Sequence, residues 1–254
     1  MVKTAKDTTK LALLIISWGK FNNFTGSFEE VKRVIDTIDV KFLESKKDQD
    51  LMNDALAGIK IAKEITFDTD GIIAINKALH HSDEEDPAIP GHLRNAKENH
   101  NDAVIIMTDP YGSDKGAYFP SDVVTKEDLD QIVDRFKASK QTNFDGLRLF
   151  AELSKLQPFQ DGNKRTALLA VNTALNTWKN ENYFILPFDE IDFAQFSLGL
   201  MRYYRADNED EEEQALKLMQ MSLPKKSDIM TYNNLESSDK IDINKLKNRK
   251  IKKF

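Results

Sequence analysis

The chain has 254 residues, no cysteine, 31% charged residues and a formal net charge of −6, and this length lets one helical core bury roughly 70 to 75% of the unfolded surface. The cysteine count excludes a disulfide scaffold, and because neither His92 nor His100 has metal-ligand spacing to a second histidine, a zinc site is not expected. The acidic balance argues against a surface that coats nucleic acid, no apolar run is long enough to span a membrane, and a cytoplasmic home is expected.

In chain order, Thr9 to Trp18 is apolar, with Lys3, Lys6 and Lys10 at its start. It could pass for the core of a signal peptide, but no small-residue cleavage site follows, and the stretch predicts a core helix. A second helix is expected where Glu29, Glu30 and Val31 begin a mixed run. "GIIAINKALHH" has a helical pattern that puts His80 and His81 at a C-terminus, where imidazoles suit the helix dipole. His92 falls in a Pro90-Gly91 turn and His100 in the polar segment after it. "AVIIMTDPYGSDKGAYFP", residues 103–120, reads as a strand, a turn rich in Gly, Asp and Pro, and a second short strand. Thr125 is then placed as an N-cap before Asp128, opening a helix to Phe136. Phe144, Leu147, Phe150, Leu153 and Leu156 recur at three-residue intervals and predict a buried helix.

The next stretch, "LQPFQDGNKRTALLAVNTALN", crowds Asp161, Gly162, Asn163, Lys164 and Arg165 together before an apolar pattern of Leu168, Leu169, Val171, Leu175 and Trp178. A helix should start near Gly162 or Asn163. Its first turn offers unpaired amides and the positive end of the dipole. Two basic residues there, against the usual acidic preference, make sense if a phosphate sits among them, with Asp161 able to hold a magnesium ion. The alternative is a surface helix with two solvated cations.

The whole string "QPFQDGNKRTAL" resembles the signature of the Fic/Doc family, His-Pro-Phe-x-Asp/Glu-Gly-Asn-Gly/Lys-Arg. The resemblance implies an all-α fold, a Fic-like helical bundle with a small β-hairpin flap. It also implies a site that binds ATP with Mg2+ and transfers AMP, or phosphate in Doc-like members, to a protein hydroxyl. Pro158 and Phe159 match the structural pair, Asp161 the metal ligand, and Gly162, Asn163, Lys164 and Arg165 the phosphate cradle. Pro90-Gly91-x-x-Arg94 looks like the turn that members carry before the hairpin, and the hairpin near 104–120 would dock the protein target. An antitoxin or regulatory protein is a further kind of partner the resemblance leaves open.

Two departures carry consequences. Gln157 stands at the position of the catalytic His, and a carboxamide cannot take a proton near neutral pH, a loss that typically costs on the order of 100 to 10,000-fold in rate. Leu168 stands where AMP-transferring members have a second Arg; Doc-like members lack it too, and with Lys164 this tilts the comparison towards them. The inhibitory motif of many Fic proteins is also missing from the stretch around Thr25, where Lys20 and Phe21 take the place of its Glu. Three readings remain: a weak or silent transferase, a nucleotide-binding pseudoenzyme, and a structural helical protein with a relict motif.

Near the C-terminus, "RADNEDEEEQALKLMQMSL" opens with acidic residues and places Leu216, Met219 and Leu223 at helical spacing. Beyond Pro224 the apolar density falls, and "KLKNRKIKKF" reads as a solvated basic tail. The expected organisation is an N-terminal helical region over 1–65, a Fic-like domain over 66–205, a C-terminal helix over 206–224 and a polar tail over 225–254.

Overall fold

The computed structural model describes residues 7–82, 88–108 and 116–238. One unit runs to Leu223 and a second begins at Pro224. The first carries helices α1 (Thr9–Gly19), α2 (Phe28–Thr37), α3 (Lys46–Glu64) and α4 (Thr69–Lys77), strands β1 (Ile106–Met107) and β2 (Ala117–Tyr118), and then helices α5 (Lys126–Ala138), α6 (Asn143–Leu156), α7 (Asn163–Ala174), α8 (Glu190–Arg205) and α9 (Glu209–Met221). This is an all-α fold with a small hairpin, as expected.

Local chemistry sets most of the helix starts. Ser27, Thr125 and Thr142 form capping boxes with Glu30, Asp128 and Asp145 at the heads of α2, α5 and α6. Ser45, Asp68, Asp189 and Asn208 cap α3, α4, α8 and α9 through their side chains. Helix α7 runs through the middle of this unit against α1, α3, α4 and α6. Ala167, Leu168, Leu169, Ala170 and Val171 are all fully buried, as expected of a helix apolar on every side. Replacing one of these leucines by Ala would typically cost about 2–5 kcal/mol.

The hairpin pairs Ile106 with Tyr118 and Met107 with Ala117 in antiparallel register. Its inner side is tied down: the Tyr118 hydroxyl donates to the Lys155 carbonyl at 3.1 Å, and its ring stacks on Tyr204 at 5.5 Å. Ile105, Met107 and Phe119 are exposed. The turn expected between the strands lies largely in 109–115, outside the described residues.

Three expectations change. Helix α4 stops at Lys77, because Ala78 and Leu79 turn back onto Ile75 and Asn76 and Leu79 is buried; His80 and His81 therefore lie beyond the helix, and His81 meets a carboxylate, not a helix terminus. Helix α7 ends at Ala174, and Trp178 belongs to a separate 3-10 turn, Thr177–Lys179, reached through Asn176 at φ 54°. The second unit, expected as tail alone, carries helix α10 (Lys226–Ser238). Falling apolar density concealed it, and the basic residues of 245–254 lie outside the described part.

Candidate functional site

Helix α6 delivers the chain to Gln157, which closes the helix with a left-handed backbone at φ 50°, a conformation few non-glycine residues adopt. Its side chain is buried, with Nε2 donating to the Ser154 carbonyl at 2.6 Å and Oε1 accepting from Asn163 Nδ2 at 3.1 Å. Asn163 also accepts from the Phe159 amide at 2.8 Å and donates to the Phe159 carbonyl at 2.8 Å. One amide side chain thus fixes the curl of residues 157–163. The Gln157 amide serves the same framework.

Gly162, at φ 75°, is the residue before α7. A Cβ there would come within 3.1 Å of Asn76 Nδ2 and 3.3 Å of Leu79 Cδ1, so both the backbone angle and the space call for glycine. Asn76, from α4, donates to the Asp161 carbonyl at 2.9 Å and to Thr166 Oγ1 at 3.1 Å, and accepts from the Gly91 amide at 2.7 Å. The Pro-Gly turn is held on its other side by Arg94. That side chain is buried, donating through Nε to the Gln157 carbonyl, through NH1 to the Asp102 carbonyl at 2.7 Å and through NH2 to the Ser121 carbonyl at 3.0 Å.

The first turn of α7 has no side-chain cap and no acidic residue. Among the described residues, no acceptor takes the N–H of Gly162, Asn163, Lys164 or Arg165. Lys164 is largely buried with Nζ 5.8 Å from the Phe21 ring, and burial holds its ammonium below the ordinary lysine pKa. The Arg165 guanidinium turns inward, bonded to Asp161 Oδ2 at 2.5 Å and Ser82 Oγ at 2.7 Å, with Asp54 at 3.5 Å and the Trp18 ring 5.4 Å away. Its Nε is buried without a hydrogen-bond partner among the described residues. Asp54 is itself fully buried and accepts from the His81 and Ser82 amides at 2.8 and 3.0 Å. The Trp18 indole donates to the Arg165 carbonyl at 3.1 Å, so α1 closes the underside.

Every motif residue named from sequence, Gln157 and Asp161 through Arg165, falls within this one loop and helix start. Free amides at a dipole's positive end, with Lys164 alongside, suit an anion. Asp161, a third exposed and with one oxygen on Arg165, could give one oxygen to a magnesium ion that phosphates hold on their side. The donor set therefore fits a magnesium-bearing polyphosphate. Leu168 is buried and offers no charge. Around Thr25, the hydroxyl and amide are taken by Asp48 at 2.6 and 3.2 Å. Asp54, Asn76, Ser82, Asp102 and Gln160 were not singled out from sequence; they reach the site from distant positions, and only the Pro-Gly-x-x-Arg pattern pointed to one of the supports, Arg94.

The sequence model described as the Fic/DOC family matches residues 66–175. None of the curated proteins matches the chain. Among solved structures, a Fic family protein from Desulfovibrio desulfuricans G20 superposes with a TM-score of 0.58 at 16% identity, covering 91% of this chain and 66% of that one. Fic-1 (aa134–508) from C. elegans gives 0.61 at 16%, covering 94% and 69%, and a Fic domain containing signaling protein from Bacteroides thetaiotaomicron VPI-5482 gives 0.60 at 15%, covering 91% and 84%. The chain thus spans about two thirds of the length of the first two. The family match takes in α4, the strands of the hairpin and the loop into α7, and the structural likeness to Fic-family proteins extends the same fold over most of the chain.

Proposed function

We propose that the start of α7 binds the phosphates of ATP, and that transfer of AMP or phosphate to a protein hydroxyl is weak or absent because Gln157 replaces a titratable group. The observation that carries the reading is the set of four amides, Gly162 to Arg165, unaccepted among the described residues at a helix start with no acidic residue in its first turn. In this reading the amides of Gly162, Asn163 and Lys164 cradle the phosphates, the Lys164 ammonium adds charge, and Arg165 works through Asp161, holding that carboxylate at the rim. A magnesium ion there would supply charge neutralisation of the phosphates. The hairpin near 104–120, which exposes Ile105, Met107 and Phe119, is the surface on which a protein target would lie, and an antitoxin or regulatory protein remains a second kind of partner.

Gln157 supports the low-activity part of the reading by its bonding as well as its chemistry. Both ends of its amide are committed to Ser154 and Asn163, so it also serves as part of the scaffold. The same bonding supports a nucleotide-binding regulator as the alternative, in which occupancy is the output. Calorimetric titration with ATP and magnesium tests the binding. Q157H then separates the readings: gain of label transfer from ATP to protein is expected for an impaired transferase, and a folded, ATP-binding Q157H that stays silent would reject it.

A further inference from the structure

We propose that His92, oriented by Asp102, is a proton-accepting group at the rim of the 157–163 loop and serves the transfer chemistry that Gln157 cannot. This rests on the nucleotide reading of the α7 start.

The turn that carries His92 is fastened along the motif loop at three places. The Ile89 amide donates to Gln160 Oε1 at 3.3 Å, the Gly91 amide is linked through Asn76 to the Asp161 carbonyl, and the Arg94 amide donates to the Pro158 carbonyl at 2.9 Å. His92 lies between the second and third ties, on a segment held against residues 157–161. Its Nε2 is 3.2 Å from Asp102 Oδ2, while the ring is 39% exposed and Nδ1 has no partner among the described residues.

Asp102 is fully buried and built to stay ionised. Burial alone would push its carboxyl up, but the Asn95 amide, the Gln160 side chain and His92 together hold it below the usual carboxylate value. The Asn95 amide donates at 2.6 Å, Asn99 Nδ2 at 2.9 Å and Gln160 Nε2 at 2.8 Å. Arg94 is the charged neighbour, donating to the Asp102 backbone carbonyl. Gln160 joins this carboxylate to the motif loop itself, so the dyad and the loop share a side chain. A buried anion that fixes one ring nitrogen and leaves the other bare is the arrangement that prepares an imidazole to take a proton.

The step balances without a further reactant. The hydroxyl oxygen of the protein target bonds to phosphorus, and the bond from that phosphorus to the departing phosphate oxygen breaks. The electron pair leaves with pyrophosphate in AMP transfer or with ADP in phosphate transfer, and the hydroxyl proton passes to Nδ1 of His92.

The first test is diethyl pyrocarbonate labelling of the full chain with and without saturating MgATP, read by peptide mass spectrometry. MgATP is expected to slow carbethoxylation of His92 several-fold. No MgATP binding by calorimetry would overturn both the nucleotide reading and this one; binding with His92 modified at an unchanged rate would overturn this one alone. The second test follows incorporation from ATP labelled at the alpha or gamma phosphate into the protein itself and a cell lysate. H92Q is expected to lower incorporation at least tenfold, D102N to move the acid limb of its pH profile to lower pH, and Q157H added to H92Q to restore it. A wild-type chain with no incorporation, H92Q equal to wild type, or Q157H active alone but silent with H92Q would each reject the assignment.

Discussion

Helices α6 and α7 follow one another and pack together, yet they begin in opposite ways. Helix α6 supplies its own anion: Thr142 and Asp145 exchange bonds across its first turn. Helix α7 begins with a glycine, leaves four amides unaccepted among the described residues and adds Lys164 and Arg165. Its nearby carboxylates, Asp54 and Asp161, go to the Arg165 guanidinium and leave those amides bare. A helix start that completes itself serves the fold alone, whereas one left open keeps its amides available to water or, in the proposed reading, to a phosphate.

The contrast can be broken at several points. The largest effect should come from D54A, which strips a buried partner from Arg165; with both side chains at most 1% exposed, a loss of about 3–5 kcal/mol is expected in chemical denaturation. K164E would give α7 the acidic first turn it lacks, and ATP affinity should fall tenfold or more by calorimetry, about 1.4 kcal/mol. Next, G162A forces a Cβ against Asn76 and Leu79 at positive φ; about 1–2 kcal/mol of stability should go, with weaker ATP binding. T142A should cost only about 1 kcal/mol at α6 and leave ATP affinity unchanged; an affinity loss equal to that of K164E would end the distinction between the two helix starts.

The smallest effect is a pH dependence. Burial depresses the Lys164 pKa below its ordinary 10.5, so between the depressed and the ordinary value the unfolded chain binds more protons than the folded one. Stability from this group therefore rises with pH through that window. Denaturation of wild type against K164M across the alkaline range should show the rise in wild type only, and MgATP should flatten it by favouring the charged ammonium.

Sequence reading located the motif loop and most helices because those signals are local. Thr125 reads as the N-cap that α5 shows, and the spacing from Phe144 to Leu156 matches α6 nearly end to end. The supports of the site were not legible in the same way. Asp54 and Asn76 lie 111 and 85 residues from the atoms they hold, and nothing near either residue forecasts those contacts. His81 was assigned to a helix end because its apolar pattern continues through Leu79, whereas the chain leaves α4 two residues earlier and turns to reach Asp54. The His92–Asp102 pair was invisible for a simpler reason: the two lie ten positions apart in a polar segment, and only folding brings their side chains together.

The family match begins at residue 66, but Arg165 leans on Trp18 and Asp54, which precede that boundary. An excised 66–175 segment would expose a guanidinium and the buried apolar middle of α7, Ala167 to Val171, on the side that α1 and α3 now cover. Evolutionary recognisability and cooperative folding therefore divide this polypeptide at different places, and a minimal functional fragment has to include the first three helices.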